Sequence, residues 1–341
     1  MPEEIILSLK NTPHDFYPTF PDNPLMGHVG SHPQITEYDV NGQFFGWGVQ
    51  PSAMLSDIKR RLRYGKEHQV TGFLARTDWE GVQDWTCFDN LNMVNLYAIA
   101  AYAENENTSE EEIYLRWLQG EHMLDERLSP GQLKTCVQTV KEIMDETWPI
   151  VEKTNFVNGC LFSNDSCMHL TPEQFTFIGG THHSLSEWDP EKKDALEMSV
   201  ENIARIIEDK EEAHVKCEKL VDRVVAGNMG LTEDAYEKMK EHFEFMRWYV
   251  RGFRLTARGY CFGRYVTEKN AADMLVEGKT ANVLLEETIH EMEKYREGLL
   301  QTTFIKKYPF DAQLNPERVA FYTNSLKRML AQGKKVEIVE D

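Results

Sequence analysis

Three short apolar runs near the start of this sequence end in polar side chains that could carry acid–base chemistry. These are His14 and Asp15 after the first run, Glu37, Asp39 and Gln43 at the second, and Arg76, Asp78 and Trp79 after the third. Aromatic residues lie close by in the chain, among them Phe16, Tyr38, Phe45, Trp47 and Trp85. Aromatic faces stack on sugar rings, while carboxylates bond hydroxyl groups or activate water. The combination suits a carbohydrate site, although such residues also cap loops.

The apolar runs predict strands that alternate with helices. The predicted strands are Ile5–Leu9, Ile35–Val40 and Val70–Ala75, and the predicted helices are Ser52–Tyr64 and Asn92–Ala103. This alternation favours α/β layering with parallel strands, in which reactive residues gather at the carboxyl ends of the strands. Glu37 and Asp39 are two residues apart, so their side chains should point to the same face of the second strand.

The remainder of the chain has the spacing of amphipathic helices. Thr108–Glu111 forms a capping-box sequence that opens a helix through Leu118, and periodic stretches follow at about 130–153, 190–226, 232–258 and 281–299. We therefore predict an α/β part over residues 1–119 and a helical domain over residues 120–341. Three strand–helix units cannot close a (β/α)8 barrel, which needs eight strands. Either the sheet is small and open, or the chain is part of a larger fold.

Four stretches, in order along residues 5–118, resemble the glycoside hydrolase family 67 α-glucuronidases. Leu9–Phe16 with Asn23–Gly27 is similar to a strand, a Lys-Asn-Gly-Pro-Ile-Asp-Phe segment and a Pro-Leu-Phe-Gly turn of that family. Glu37–Gly46 is similar without gaps to its Glu-Phe-Gln-Ile-Thr-Gln-Glu-Tyr-Leu-Gly. Asn95–Ala98 and Thr108–Ile113 are similar to its Asn-Leu-Tyr-Ala and Leu-Ser-Ala-Glu-Glu-Ile.

The resemblance implies a partial TIM-type (β/α)8 barrel, made of the sixth to eighth strands, followed by a large helical C-terminal domain. It further implies inverting hydrolysis that removes 4-O-methylglucuronic acid from xylan-derived oligosaccharides. Such a reaction needs an acid and a base about 6.5 to 9.5 Å apart. In the family the acid comes from an earlier strand, absent from this chain. Asp15 matches the base of the sixth strand, and Lys10, His14, Asp39, Arg76, Asp78, Trp79 and Trp85 are the expected substrate contacts.

The sequence departs from the family at the second catalytic position. In the gapless register the seventh-strand Glu falls on Gln43, whose amide cannot accept a proton at neutral pH. A shifted register would let Glu37 or Asp39 supply the carboxylate. Arg76 and Asp78 could bind a uronate or a hydroxyl group, and a salt bridge between them is an equally good structural account.

Composition excludes several classes of function. The net charge of -19 would repel nucleic acid, and no apolar stretch approaches the roughly 20 residues that span a bilayer. The acidic start lacks the features of a signal peptide, so we expect a cytoplasmic protein. Six scattered cysteines favour reduced, partly buried thiols. His182-His183 has no accompanying ligand motif, and neither a metal nor a cofactor is expected.

Two hypotheses of different classes follow from these observations. In the first, the chain is the α-glucuronidase-like part of a hydrolase, binds a uronic-acid-bearing oligosaccharide, and is inactive until a chain with the N-terminal barrel half is supplied. In the second, it is a non-catalytic carbohydrate-binding or assembly protein, which Gln43 favours. A related hydrolase of other sugar specificity is a third alternative. The amphipathic helices could also form a homodimer.

Overall fold

A parallel three-stranded sheet carries the candidate site. The computed structural model describes residues 4–17, 19–78, 86–158, 160–161, 168–177, 194, 196–302 and 314–337. The strands are β1 (Leu7–Lys10), β2 (Gln34–Asp39) and β3 (Gly72–Arg76), in the order β1-β2-β3. Helix α1 (Leu55–Glu67) connects β2 to β3, and α2 (Met93–Glu104) follows β3. The start of the chain is thus α/β, as predicted, and the strands lie within two residues of their predicted bounds.

The two faces of the sheet differ in burial. Along β2, Gln34, Thr36 and Tyr38 are buried, whereas Ile35, Glu37 and Asp39 are only half-buried. This alternation has the period of two expected of a strand with one covered face. Parallel sheets in proteins are usually covered on both faces, so the half-exposed face is unusual.

Both outer edges of the sheet are open within the described ranges. There, β1 and β3 each pair with β2 and with no other strand. Ile6, which precedes β1, is 59% exposed. Leu74 of β3, the register partner of Glu37, is 53% exposed on the half-exposed face. Unpaired edges of this kind are templates for further strand pairing.

The rest of the described chain is mostly helical, as the sequence predicts. The helices are α3 (Glu110–Gly120), α4 (Pro130–Asp145), α5 (Thr147–Asn155), α6 (Pro172–Phe177), α7 (Val200–Val225), α8 (Glu233–Glu268), α9 (Ala281–Gln301) and α10 (Pro316–Glu337). A short 3-10 helix spans Cys87–Asp89, and β4 (Phe156–Val157) pairs with β5 (Cys160–Leu161). Ser129 and Gln132 form a capping box at α4, and the Ser109 side chain caps α3.

Three of the predicted helical stretches have different bounds in the structure. The stretch predicted at 130–153 is divided into α4 and α5, because Pro149 lies in the first turn of α5, where its missing N–H is tolerated. Helix α8 continues ten residues past the predicted end at 258. Helix α7 begins at Val200, and residues 190–193 lie outside the described ranges.

The chain divides into two compact units that are discontinuous in sequence. The first contains residues 1–149 and 218–246, and the second contains residues 150–217 and 247–341. The sheet, α1–α4 and the start of α8 belong to the first unit. The boundary near residue 120, which separates strand-containing from purely helical sequence, stays a prediction.

The described helices and cysteines also bear on the predicted class of protein. No helix in the described part of the chain is long and apolar enough to cross a membrane. Five cysteines, Cys87, Cys136, Cys160, Cys217 and Cys261, are free and buried, while Cys167 lies outside the described residues. Burial raises the pKa of Cys87 to about 12 and that of Cys136 to about 11, so these thiols are poor nucleophiles.

Candidate functional site

Four of the predicted site residues lie on the half-exposed face of the sheet. The parallel register pairs Lys10 with Glu37 and Asp39 with Arg76, and paired residues of adjacent strands point to the same face. Glu37 belongs to the same face as Asp39, as their two-residue spacing predicts. The Ser8 hydroxyl donates a hydrogen bond of 2.5 Å to Glu37 Oε1. This face of the three strands therefore carries two acidic and two basic side chains.

Asp15 lies in the turn that follows β1 and forms an ion pair with Lys10. The two side chains are 36% and 42% exposed, so solvent and solutes reach both of them. Asp15 has a φ of +39° and Phe16 a φ of +64°, and left-handed backbone at non-glycine residues is uncommon. Such backbone clusters at functional sites, where the surrounding structure maintains it.

The Phe16 ring lies close to the cations of both outer strands. Lys10 Nζ lies 4.7 Å from the ring centroid and the Arg76 guanidinium carbon lies 5.4 Å from it. Both distances are within the range of a cation–π interaction. Since Phe16 is only 5% exposed, it acts as a buried support for the two cations. From the sequence alone, Phe16 is only an aromatic neighbour of Asp15.

Gln43 is buried in the segment between β2 and α1 and contacts Arg76. Its Oε1 atom accepts a hydrogen bond of 2.9 Å from Arg76 Nη1. Arg76 belongs to β3, so the bond connects the carboxyl ends of neighbouring strands. The structure thus brings together two predicted site residues that are 33 positions apart in sequence.

Asp39 organises the turn that leads to Gln43. Its carboxylate accepts hydrogen bonds from the backbone N–H groups of Asn41 and Gly42, both at 3.2 Å, and of Gln43 at 2.7 Å. Burial raises the pKa of the Asp39 carboxyl, while these N–H groups and Arg76 act in the opposite direction. The contacts give Asp39 a structural role in addition to its predicted contact with substrate.

The other predicted contacts contribute differently. The His14 ring packs at centroid distances of 5.3 Å from Tyr17 and 6.4 Å from Phe20, as part of an aromatic cluster. Asp78 forms an isolated bridge with Thr86 beyond β3. Trp79 and Trp85 lie outside the described residues.

Arg61 is a supporting residue that the sequence analysis missed. It is 2% exposed and forms ion pairs with Asp22 at 3.1 Å and Asp57 at 2.8 Å. Its guanidinium also donates to the carbonyl oxygens of Asn11 and Phe20, which follow β1. Arg61 therefore attaches the segment after β1 to α1. The spacing of Asp57 and Arg61 on one helix was the available signal, but it says nothing about the partners in the distant segment.

The enclosed space next to these residues is too small for a sugar. A cavity of about 20 Å³ touches Phe16, Asp39 and Arg61, which is room for about one water molecule. A larger cavity of about 660 Å³ lies in the same unit among α3, α4 and the start of α8, where none of the predicted site residues lies.

Comparisons with known proteins support a general class of fold. No family model matches the chain, and no curated protein matches its sequence. Among solved structures, the chain is similar to a GH138 enzyme that targets pectin rhamnogalacturonan II, with a TM-score of 0.50 and 11% sequence identity. The match covers 92% of this chain and 49% of that chain, so this chain spans about half the length of the neighbour. At this identity the likeness shows a shared fold alone.

Proposed function

We propose that this chain contributes part of a carbohydrate site of the glycoside hydrolase type, which acts on uronic-acid-bearing oligosaccharides such as glucuronic-acid-substituted xylo-oligosaccharides. The observation that carries the proposal is the shared sheet face of Lys10, Glu37 and Arg76, with Asp15 at its carboxyl end. Hydroxyl groups would bond to Glu37, and the two cations suit a sugar carboxylate. The GH138 neighbour supports the fold class on which the proposal depends.

In this proposal Asp15 positions or activates the water of an inverting hydrolysis. Asp15 pairs with Lys10 and is open to solvent, as a general base needs to be. Gln43 is neutral and holds Arg76, so its role is to position that cation. Inversion also requires a general acid on the other side of the sugar, about 6.5 to 9.5 Å from the base.

We further propose that the missing acid belongs to additional strands of a (β/α)8 barrel. The edges of β1 and β3, which have no further strand paired to them in the described part of the chain, support this proposal. The neighbour, about half of whose length has no counterpart here, supports it too. A polypeptide carrying the N-terminal barrel half would pair with these edges and complete the site.

A non-catalytic carbohydrate-binding or assembly protein is the second proposal. It is favoured by Gln43, because an amide that accepts from Arg76 cannot act as a base. The face would then bind a sugar without turnover. A hydrolase with another sugar specificity would use the same residues, since a fold does not determine the substrate. Homodimerisation through the helical part also stays a proposal, to be measured by analytical ultracentrifugation.

Calorimetric titration combined with an activity assay distinguishes these proposals. Glucuronic acid, unsubstituted xylo-oligosaccharides and aldouronic acids are titrated into the chain, and aldouronic acid hydrolysis is assayed with and without added N-terminal barrel strands. Binding with turnover only in the completed protein supports the hydrolase. Binding without turnover in both states supports the binding protein. No binding of any of these sugars in either state would reject the proposed site.

A further inference from the structure

The segment between β2 and α1 is irregular but almost completely buried. We call Val40–Met54 the β2–α1 loop, and each of its described residues is buried. Gly48 has a φ of +82°, and an added Cβ there would overlap the Asn41 side chain, so glycine is required. Buried backbone N–H and C=O groups outside helices and strands need other hydrogen-bond partners. The partners of this loop therefore determine where its residues lie.

Two buried asparagines near the start of α2 supply many of these partners. The Asn92 side-chain amide donates to the carbonyl oxygens of Asn41 at 2.8 Å, Gly48 at 3.1 Å and Gln50 at 3.2 Å. Its Oδ1 atom accepts from the backbone N–H of Ser52 at 2.8 Å. One side chain thus joins four points of the loop.

Asn95, one turn further along the helix, joins the two ends of the loop. Its amide donates to the carbonyl oxygens of Val40 at 3.2 Å and Ser52 at 2.8 Å, and its Oδ1 accepts from Met54 N–H at 2.8 Å. Both asparagines are fully buried, so water does not replace these bonds. We call Asn92 and Asn95 the asparagine clamp.

The clamp acts on the turn that carries two of the predicted site residues. The Asp39 carboxylate binds the N–H groups of residues 41–43, while the clamp binds the carbonyl oxygens of Val40 and Asn41. The backbone between Asp39 and Gln43 is consequently held through both its donors and its acceptors. Gln43 in turn accepts from Arg76.

We infer that Asn92 and Asn95 are positioning residues, which set Gln43 and through it Arg76 at the carboxyl end of the sheet. The role in sugar binding rests on the proposed function, whereas the positioning of the loop does not. The inference therefore has a test that requires no sugar.

Hydrogen–deuterium exchange measured by mass spectrometry provides this test. In Asn92→Asp and Asn95→Asp, a carboxylate replaces the amide and repels the loop carbonyls, so peptides covering residues 40–54 should exchange roughly tenfold faster than in the wild type. Peptides from α4 in the same unit should stay within about twofold of the wild-type rate. Asn107→Asp is the matched control, because Asn107 is exposed and the chemical change is identical.

Two results would overturn the inference. In the first, the loop peptides of both variants exchange at the wild-type rate. In the second, the loop and α4 peptides are accelerated equally, which would indicate general destabilisation. If neither aspartate variant folds, Asn90→Ala should give a smaller acceleration in the same peptides. It removes an amide that donates to Asn41 Oδ1 at 2.9 Å and to Thr86 O, and that accepts from the Asn92 backbone N–H at 2.8 Å. An unchanged exchange rate of these peptides in Asn90→Ala would also contradict the inference. If the loop exchanges faster in the variants but the wild type binds no sugar, the asparagine clamp is supported and the proposed function is rejected.

Discussion

Arg76 Nη1 donates a hydrogen bond of 2.9 Å to Gln43 Oε1, and this bond joins the end of β3 to the loop after β2. Through this bond, the neutral Gln43 side chain positions the Arg76 cation. It also explains how a glutamine can be useful at a position where a catalytic carboxylate is expected from family resemblance.

Gln43→Leu should destabilise the first unit, because the half-buried Arg76 guanidinium loses its buried acceptor, Gln43 Oε1. We expect the free energy of unfolding to fall by about 1–3 kcal/mol, measured by urea denaturation. Gln43→Glu keeps the acceptor as a charge-assisted partner and should change the unfolding free energy by less than about 1 kcal/mol. Equal stability of the leucine variant and the wild type would contradict the importance of this bond.

Asp15→Asn should separate sugar turnover from stability. Asn tolerates left-handed backbone, and an ion pair as exposed as Lys10–Asp15 contributes under about 1 kcal/mol, so thermal unfolding should change little. In the completed hydrolase, turnover of aldouronic acids should fall by about a hundredfold or more if Asp15 is the base. Asp125→Asn, which removes another exposed ion pair of the same unit, is the control and should leave turnover unchanged. Unchanged turnover in the Asp15 variant would exclude this role.

His242 should make the first unit less stable in acid. Its ring is buried, Nδ1 lies 2.8 Å from the carbonyl oxygen of Val49, and burial lowers the pKa of His242 from 6.5 to about 4. Between these pH values the unfolded chain binds a proton that the folded chain does not. The free energy of unfolding therefore has its full value above pH 6.5. It decreases by up to about 3 kcal/mol as the pH falls towards 4.

Urea unfolding at several pH values between 7 and 4 measures this effect as the difference between the wild type and a variant. His242→Asn, which can still donate to Val49 and does not titrate, should reduce the loss of stability on acidification. His290→Asn alters an exposed histidine and should follow the wild-type curve. Parallel curves for His242→Asn and the wild type would show that His242 does not cause the acid sensitivity.

Lys210→Met should destabilise the second unit through the end of α5. The buried Lys210 side-chain nitrogen bonds to the carbonyl oxygens of Lys153, Thr154 and Phe156, so its removal leaves three acceptors without this donor. We expect the free energy of unfolding of the second unit to fall by about 2–4 kcal/mol, measured by urea denaturation. Lys216→Met on the same helix removes only an exposed pair with Glu212 and should cost under about 1 kcal/mol. Similar losses in both variants would refute the capping role of Lys210.

The strands and their polar face could be predicted from the sequence, because both depend on neighbouring residues. The two-residue period places Glu37 and Asp39 on one face whatever the rest of the chain does. The apolar runs likewise locate β1, β2 and β3 to within a few residues. These features are properties of short segments and need no knowledge of distant contacts.

The loop contacts could not be predicted, because their partners are remote in sequence. Asn92 bonds Asn41 across 51 positions, and His242 meets Val49 across 193. An asparagine in a sequence gives no sign of whether its amide faces water or a buried carbonyl. The bond between Arg76 and Gln43 is of the same kind, since it depends on strand order and on the path of an irregular loop.

The edges of β1 and β3, unpaired in the residues that the structure describes, affect how much monomeric protein can be produced. During synthesis, each exposed edge offers the same hydrogen-bonding groups to a correct partner strand and to another copy of the chain. Pairing of these edges between two copies of the chain increases as the concentration of the chain rises. The yield of monomeric chain should therefore fall when the chain is produced at higher concentration.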